Sequence, residues 1–348
     1  MFLFNYPSWS IFILIPVASN CFDEITRDKY PLIKNESAIF LSNLKELPSL
    51  TIGDLTIRLE TEDPSTELKE LARKELRETP EVVEAAKQEL RELLKADPEL
   101  NVPLDNDAWL VRFLRPTKFY PESTHRLIKD YYKFKSKHKD IYDGLLPSRE
   151  KNVFEQNILL VLPNRDQLGR RILVIELGKK WKPKKCSLDD VFKGIVLFLE
   201  AAMYEPSTQI AGAQVIFDMD GLSMQQAWQF TPAFAKRIVD WLQDSVALRV
   251  KGLHIVNQPY VFNMVFSLFK PFLREKLRSR IYFHGTDRDS LHQYISAKCL
   301  PDVYGGTFPL PKISSTEWYE LLKHCDEEYQ AINSYGLVVE DKKKKSKQ

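Results

Sequence analysis

Between residues 157 and 285, short runs rich in apolar and β-branched residues alternate with longer segments that have helical spacing. The run NILLVLPNRDQLGRRILVIELG, residues 157–178, is predicted to form two strands joined at Asp166 to Gly169. Further strands are predicted at 212–221, 250–259 and 279–285, with helices at 187–205, 231–248 and 260–277. Strands that alternate with helices of this length indicate an α/β fold with a mostly parallel sheet and helical crossovers.

The segments on either side of this pattern divide the 348-residue chain further. Residues 65–145 carry amphipathic helices, with Thr79-Pro80 as a helix start and a break near Arg115-Pro116. They predict a small all-α domain in front of the α/β domain, which we place at 150–312. Residues 313–348 are predicted to form a C-terminal helix and a Lys-rich tail.

Residues 1–64 are an atypical leader with two interpretations. The apolar run from Ile11 to Ala18 resembles the core of a signal peptide, which would make Asn35 a glycosylation acceptor. No Lys or Arg precedes that run, Pro7 lies shortly before it and Pro16 interrupts it, which favours a poorly ordered or mis-assigned leader. The run is also too short to span a bilayer.

Composition and motifs exclude several classes of function. A net charge of +2 argues against bulk nucleic-acid binding, and no nucleic-acid-reading motif occurs. Cys21, Cys186, Cys299 and Cys325 form no CxxC pair, which indicates free thiols in a reducing compartment. The chain contains no GxGxxG, GxxxxGK[ST], GxSxG or HExxH motif. We therefore expect no metal, no cofactor, no catalytic residues and no nucleic-acid partner.

The strand that ends in Asp218-Met219-Asp220-Gly221 raises one enzymatic alternative. It resembles the nucleophile strand of haloacid-dehalogenase phosphatases, in which a carboxylate attacks phosphate. Such a site also requires a Ser or Thr at the end of the next strand, a later Lys and a carboxylate pair for Mg²⁺. Here the next strand ends in Asn257 and Gln258. We therefore expect the two acids to serve as turn and helix-cap groups, with the phosphatase as a remote alternative.

Three ordered stretches resemble the CRAL-TRIO lipid-binding family, in particular its tocopherol and retinaldehyde carriers. They are WLVRFLRPTKFYPESTHRLIKDYYKFK at 109–135, the segment 215–285 that begins VIFDMDG and ends IYFHG, and LPDVYGGTFP at 300–309. The resemblance covers about residues 68–310. It implies a CRAL-TRIO fold, in which the sheet and its crossovers enclose a lipid cavity behind a gate helix.

The helix predicted at 231–248 is the segment that matches the gate. Phe234, Ile238, Trp241, Leu242 and Ser245 recur on one face, a spacing that core packing explains equally well. The resemblance further implies a basic cleft for phosphoinositide phosphates, formed by Lys236, Arg237, Arg249 and Lys251, with Arg112 and Arg115 added from the helical domain.

The cavity wall is predicted to come from the apolar helix near 191–203 and the elements after it. The candidate lipid contacts are Phe192, Ile195, Val196, Leu199, Glu200, Val215, Phe217, Phe230, Phe234, Ile238 and Phe262, each of which could equally be a core residue. Glu200 resembles a ligand-contacting Glu of the retinaldehyde carrier, although a structural ion pair or an outward orientation would also explain it. The tocopherol carrier presents serines where this chain has Ile195 and Leu199, which argues against tocopherol itself.

These observations predict a non-enzymatic, monomeric, cytoplasmic carrier that associates transiently with membranes. Its partners would be a small hydrophobic lipid (a retinoid, a tocopherol-like molecule or another isoprenoid) and a phosphoinositide-containing membrane. The alternative within the same fold is a phosphatidylinositol-binding regulator of membrane traffic.

Overall fold

The computed structural model describes residues 48–338. The helices are α1 (Thr66–Leu76), α2 (Pro80–Lys95), α3 (Asp107–Leu114), α4 (Pro121–Lys137), α5 (Lys139–Tyr142), α6 (Lys151–Glu155), α7 (Leu188–Ala202), α8 (Pro206–Ala211), α9 (Met224–Ala227), α10 (Pro232–Asp240), α11 (Phe262–Ser267), α12 (Glu275–Arg278), α13 (Arg288–His292), α14 (Ser315–Leu322) and α15 (Asp326–Ser334). The strands are β1 (Ser49–Ile52), β2 (Leu55–Arg58), β3 (Leu100–Asn101), β4 (Leu159–Arg165), β5 (Arg171–Glu176), β6 (Ala213–Asp218), β7 (Val250–Val256), β8 (Ile281–Gly285) and β9 (Gly336–Leu337). The signal-peptide interpretation, Cys21, Asn35 and the Lys-rich tail lie outside the described residues.

The central sheet has five strands in the order β4-β5-β6-β7-β8. β5, β6, β7 and β8 are parallel neighbours, and helices connect each consecutive pair. β4 is antiparallel to β5 because the turn from Asp166 to Gly169 is too short for a crossover. The predicted α/β fold with a mostly parallel sheet is therefore confirmed.

The helices before the sheet begin where the sequence predicts. Ser65 accepts a hydrogen bond from the Leu68 amide at 3.3 Å, and Thr79 accepts one from the Val82 amide at 3.4 Å. α3 ends at Leu114 and α4 starts at Pro121, so the expected break is present. α2 packs on α4, and α1 packs on α8 of the α/β part. This last contact brings α1 close to the start of the parallel strands.

Two helices predicted as single segments are interrupted. The helix predicted at 260–277 divides into α11, a 3₁₀ turn at Lys270–Phe272 and α12, because Pro271 lacks the amide that a continuous helix requires. The helix predicted at 231–248 consists of α10 and a π-helical turn, Trp241–Ser245, and ends where Val246 adopts an extended conformation. That turn packs against α4.

A β-hairpin precedes α1, within the segment that the sequence analysis assigned to the leader. β1 and β2 are antiparallel, with Ser49 opposite Arg58 at one end and Ile52 opposite Leu55 at the other. Gly53 in the connecting turn has a φ of +60°. The hairpin packs on β4 and α14, and Ile57 is buried. Across residues 48–338, no helix combines the length and apolarity needed to span a membrane.

Candidate functional site

An apolar cavity lies between the sheet, α7 and the π-helical turn after α10. It contains about 810 Å³ of empty space, including its mouth. Its wall is formed by Leu59, Val161, Arg171, Leu173, Ile175, Ile195, Phe198, Leu199, Ala201, Ala202, Glu205, Ala213, Val215, Phe217, Trp241, Leu242, Leu248, Val250, Leu253 and Trp318.

The geometry of the sheet and of α7 explains which residues reach the cavity. Side chains of a strand alternate between its two faces, so Ala213, Val215 and Phe217 of β6 share the cavity face. The same alternation places Leu173 and Ile175 of β5 beside them. α7 faces the sheet with a stripe that includes small alanines as well as larger apolar residues, and this leaves space between helix and sheet.

The structure brings four of the eleven predicted lipid contacts together in the cavity wall: Ile195, Leu199, Val215 and Phe217. The other seven, Phe192, Val196, Glu200, Phe230, Phe234, Ile238 and Phe262, are buried outside this wall. Several of those aromatic rings have core partners. The Phe192 ring meets Trp241 edge-on at 5.0 Å, Phe230 lies 6.2 Å from Trp181, and Phe234 lies 6.5 Å from Phe269.

Glu200 faces α4 of the helical domain. Its Oε1 accepts a hydrogen bond from the Tyr131 hydroxyl at 2.5 Å, and Lys135 Nζ lies 3.9 Å away. Burial, and then the nearby Glu200 charge, raises the pKa of Tyr131 well above its usual value, so the hydroxyl remains a donor. Of the three interpretations left open by the sequence, this arrangement favours a structural ion-pair network.

Several wall residues were absent from the prediction. Trp241 and Leu242 lie on the apolar face that the periodicity identified, and the alternation in β5 could have indicated Leu173 and Ile175. Leu59 and Trp318 come from segments before and after the α/β domain, and no local pattern marks them as cavity residues.

One polar pair, Arg171 and Glu205, lies in this otherwise apolar wall. Arg171 donates from Nε and Nη2 to the Glu205 carboxylate at 2.9 and 2.5 Å. Burial opposes the ionisation of Glu205, but Arg171, Arg165 and the Thr208 hydroxyl together outweigh it and lower the pKa of this carboxyl group. The pair is therefore charged and mutually satisfied.

Arg249 and Lys251, predicted to bind phosphate, converge on one carboxylate. Both donate to Glu75 of α1, and the Lys251 Nζ to Glu75 Oε2 distance is 2.9 Å. Burial opposes the ionisation of Glu75, but the two hydrogen bonds outweigh it and lower its pKa to about 2. An acid from the helical domain therefore offsets part of the positive charge of this half of the predicted basic cleft.

Lys236 and Arg237 lie on α10 and have other partners. Exposed Lys236 bonds to Asp240 at 2.5 Å. Arg237 is largely buried and bonds to Asp140 and Asp189. Burial raises the pKa of Asp189 to about 7 despite the adjacent guanidinium.

Arg112 and Arg115 are buried where the helical domain meets the α/β part. Arg115 Nη2 donates to Glu78 at 2.6 Å and its Nη1 donates to Gln209 at 2.5 Å. The Arg112 guanidinium stacks 4.5 Å above the ring of Tyr204. In this conformation both side chains contribute to the junction between the two parts of the chain.

Asp218 is engaged in structural hydrogen bonds at the end of β6. Its Oδ1 accepts from the Asp220 amide at 3.0 Å and from Asn257 Nδ2 at 2.9 Å, and its Oδ2 accepts from the Tyr304 hydroxyl at 3.1 Å. Exposed Asp220 pairs with Lys179 at 2.5 Å. Among the described residues, no cluster of three or more His, Cys, Asp or Glu side chains could hold a metal ion.

Known proteins resemble this chain over most of its length. A family model described as the CRAL/TRIO domain matches residues 155–306. Clavesin-2 from Homo sapiens is 33% identical over 285 residues, which cover 80% of this chain and 86% of that protein. Clavesin-1 from Pongo abelii is 35% identical over 247 residues, 70% of each chain. An alpha-tocopherol transfer protein-like protein from Mus musculus is 34% identical over 259 residues, 74% of each chain.

Proposed function

This chain belongs to the CRAL/TRIO family of lipid-binding proteins, and on that premise we propose that it is a carrier without catalytic activity. It holds one small hydrophobic lipid, such as a retinoid, a tocopherol-like molecule or another isoprenoid, and exchanges it at phosphoinositide-containing membranes. It acts as a monomer in the cytoplasm and contacts the membrane during exchange.

The observation that carries this proposal is the apolar cavity beneath the π-helical turn. Its charged wall residues, Arg171 and Glu205, are bonded to each other, so the rest of the wall suits a hydrocarbon ligand. Enclosing about 400 Å² of such a ligand contributes on the order of 10 kcal/mol gross, at about 25 cal/mol per Å² and before association costs. A ligand held this strongly leaves slowly into water, which favours exchange at a membrane.

The π-helical turn supplies the movable part of the wall. Trp241 and Leu242 line the cavity from this turn, and π-helical turns are frequent at functional sites. Opening would separate Trp241 from Phe192, whose rings are 5.0 Å apart. We assign to α10 and this turn the role of the gate.

An exposed apolar surface supports docking on lipid. Met224 and Trp228 at α9 and Tyr260 and Met264 at α11 are large and exposed, with Trp228 at 70% and Tyr260 at 90%. α9 packs against α11, and we treat the four residues as one surface, which we call the aromatic face. Tryptophan and tyrosine favour the membrane interface because their rings are apolar with a polar edge.

The phosphoinositide part of the proposal rests on Lys236, Arg237, Arg249 and Lys251. In this structure acidic side chains pair with all four, so a phosphoinositide must replace those partners. Basic side chains near anionic lipid contribute about 1 kcal/mol each, enough to bias a gate equilibrium of a few kcal/mol.

A vesicle transfer assay tests the proposal. The variant Lys236→Ala, Arg249→Ala, Lys251→Ala leaves Arg237 in place to compensate the buried Asp189. Its transfer of retinol between vesicles containing phosphatidylinositol bisphosphate should be slower, with unchanged transfer between phosphatidylcholine vesicles. The matched control replaces exposed Lys182, Lys184 and Lys185 with Ala. Equal rates for variant, control and wild type on phosphoinositide vesicles would overturn the phosphoinositide role.

A further inference from the structure

The segment from Ile57 to Glu60 leaves the β-hairpin and closes one end of the lipid cavity. Leu59 is 6% exposed and belongs to the cavity wall. The first residues of β5, β6 and β7, namely Arg171, Ala213 and Val250, also belong to that wall. This end of the cavity therefore lies where the parallel strands begin.

The residues on either side of Leu59 are fixed to the same wall residue. Arg171 Nη2 donates to the Arg58 carbonyl at 3.4 Å and lies 3.1 Å from the Glu60 carboxylate. The Glu60 amide donates to Glu205 Oε1 at 3.0 Å, and the Glu60 carboxylate pairs with Arg165 at 2.6 Å. Leu59 is thus held between two residues that bond to the buried Arg171–Glu205 pair.

This anchoring distinguishes Leu59 from the gate residues Trp241 and Leu242. Glu205 is almost fully buried, and a movement of residues 58–60 would remove the Glu60 amide from Glu205, and the Arg58 carbonyl and the Glu60 carboxylate from Arg171. Buried polar groups that lose their partners are costly. The end of the cavity at Leu59 is therefore rigid. Residues 57–60 also lie outside the matched span of the family model, 155–306.

From this geometry we infer that Leu59 limits the length of the lipid that the cavity accepts. The inference rests on the proposed carrier function. An apolar pocket discriminates by size, since one methylene group that does not fit changes binding by about 10-fold or more. A smaller side chain at position 59 lengthens the space at this end of the cavity, and a larger one shortens it.

The test offers the purified full chain phosphatidylcholine vesicles that contain equal amounts of farnesol and geranylgeraniol, isoprenoid alcohols that differ by one isoprene unit. The bound alcohols are quantified by mass spectrometry. Leu59→Ala should shift the bound ratio toward geranylgeraniol by about tenfold, and Leu59→Phe should shift it toward farnesol. Leu59→Met, which keeps the volume, should preserve the wild-type ratio.

The controls are Leu55→Ala and Leu55→Phe in the same hairpin, because Leu55 lies outside the cavity wall. A melting curve for each variant confirms that it is folded. An unchanged ratio in folded Leu59→Ala and Leu59→Phe, with normal total uptake, would overturn the inference and leave the carrier function standing. Failure of the wild-type chain to take up either alcohol, or retinol offered in the same vesicles, would overturn both.

Discussion

Lys251 on β7 donates a 2.9 Å hydrogen bond to Glu75 on α1, 176 residues earlier in the chain. Arg249 bonds to the same carboxylate. The helical domain thus holds the two basic residues that we propose for phosphoinositide binding. A phosphate group that binds them has to replace a carboxylate that is already ionised, because the pKa of Glu75 is lowered to about 2.

Replacing Glu75 with Gln should strengthen binding to vesicles that contain phosphatidylinositol bisphosphate. The expected gain is about thirtyfold, since two freed basic side chains contribute about 1 kcal/mol each near anionic lipid. Vesicle co-sedimentation measures the effect. Glu70→Gln, on the same helix, is the matched control because Glu70 pairs with the exposed Arg73 and Lys74 and not with the predicted phosphate-binding residues. Equal affinity for Glu75→Gln and wild type would show that Glu75 does not compete with phosphate.

The aromatic face should govern attachment to neutral lipid. The double variant Trp228→Ser, Tyr260→Ser should bind phosphatidylcholine vesicles about tenfold or more weakly. Each substitution removes a large exposed ring that would enter the membrane interface. Leu168→Ser is the control, since Leu168 is 51% exposed but lies in the turn between β4 and β5. Similar losses in the double variant and the control would rule out a specific docking surface.

Tyr131→Phe should destabilise the fold and leave lipid uptake unchanged. The substitution removes the Tyr131 hydroxyl, which donates to the buried Glu200 Oε1 at 2.5 Å. A buried acceptor that loses its donor costs about 1–3 kcal/mol of stability. Urea unfolding measures this loss, with the half-exposed Tyr120→Phe as control. Reduced lipid uptake by a folded Tyr131→Phe protein would instead place Glu200 in the lipid site.

A buried histidine pair predicts how stability depends on pH. His254 Nδ1 lies 3.0 Å from His284 Nε2, and His254 is fully buried. Burial, followed by repulsion from His284, lowers the pKa of His254 to about 3. The unfolded chain, with an imidazole pKa near its ordinary value of 6.5, therefore takes up the proton first as the pH falls.

Above pH 6.5 His254 is neutral in both the folded and the unfolded chain, so its burial costs no stability. Between about pH 6.5 and pH 3 only the unfolded chain binds the proton, and the free energy of unfolding falls. Relative to His254→Gln, the wild-type free energy of unfolding should fall by about 1.4 kcal/mol per pH unit below 6.5. Urea titrations at pH 7.5, 6.0 and 5.0 measure it, and the exposed His324→Gln serves as control. Parallel pH profiles for wild type and His254→Gln would contradict the assignment.

The sequence predicted the sheet well because each strand is a compact apolar run and each crossover helix has clear start signals. Ser187, for example, forms a capping box with Asp190 at the start of α7. Where the prediction was wrong, the cause is local. Pro271 divides the helix predicted at 260–277, and an extended Val246 ends the helix predicted at 231–248.

The cavity was harder to predict because apolarity alone does not reveal which face of a buried helix meets empty space. Ile195 and Val196 are adjacent and equally apolar, yet only Ile195 reaches the wall. Leu59 and Trp318 approach from opposite ends of the described chain. Glu75 is likewise too distant in sequence for its pairing with Lys251 to be visible, so the partial neutralisation of the basic residues emerged only from the fold.

The most direct test of the central claim is the identity of the lipid that copurifies with the full chain. The protein is extracted with organic solvent and the extract is analysed by mass spectrometry, with a Val215→Trp, Leu199→Trp variant as a filled-cavity control. We predict about one equivalent of a single isoprenoid-type lipid in the wild-type protein and little in the control. Phospholipid in place of an isoprenoid would favour a phosphatidylinositol-binding regulator, and equal lipid content in wild type and control would contradict carriage in this cavity.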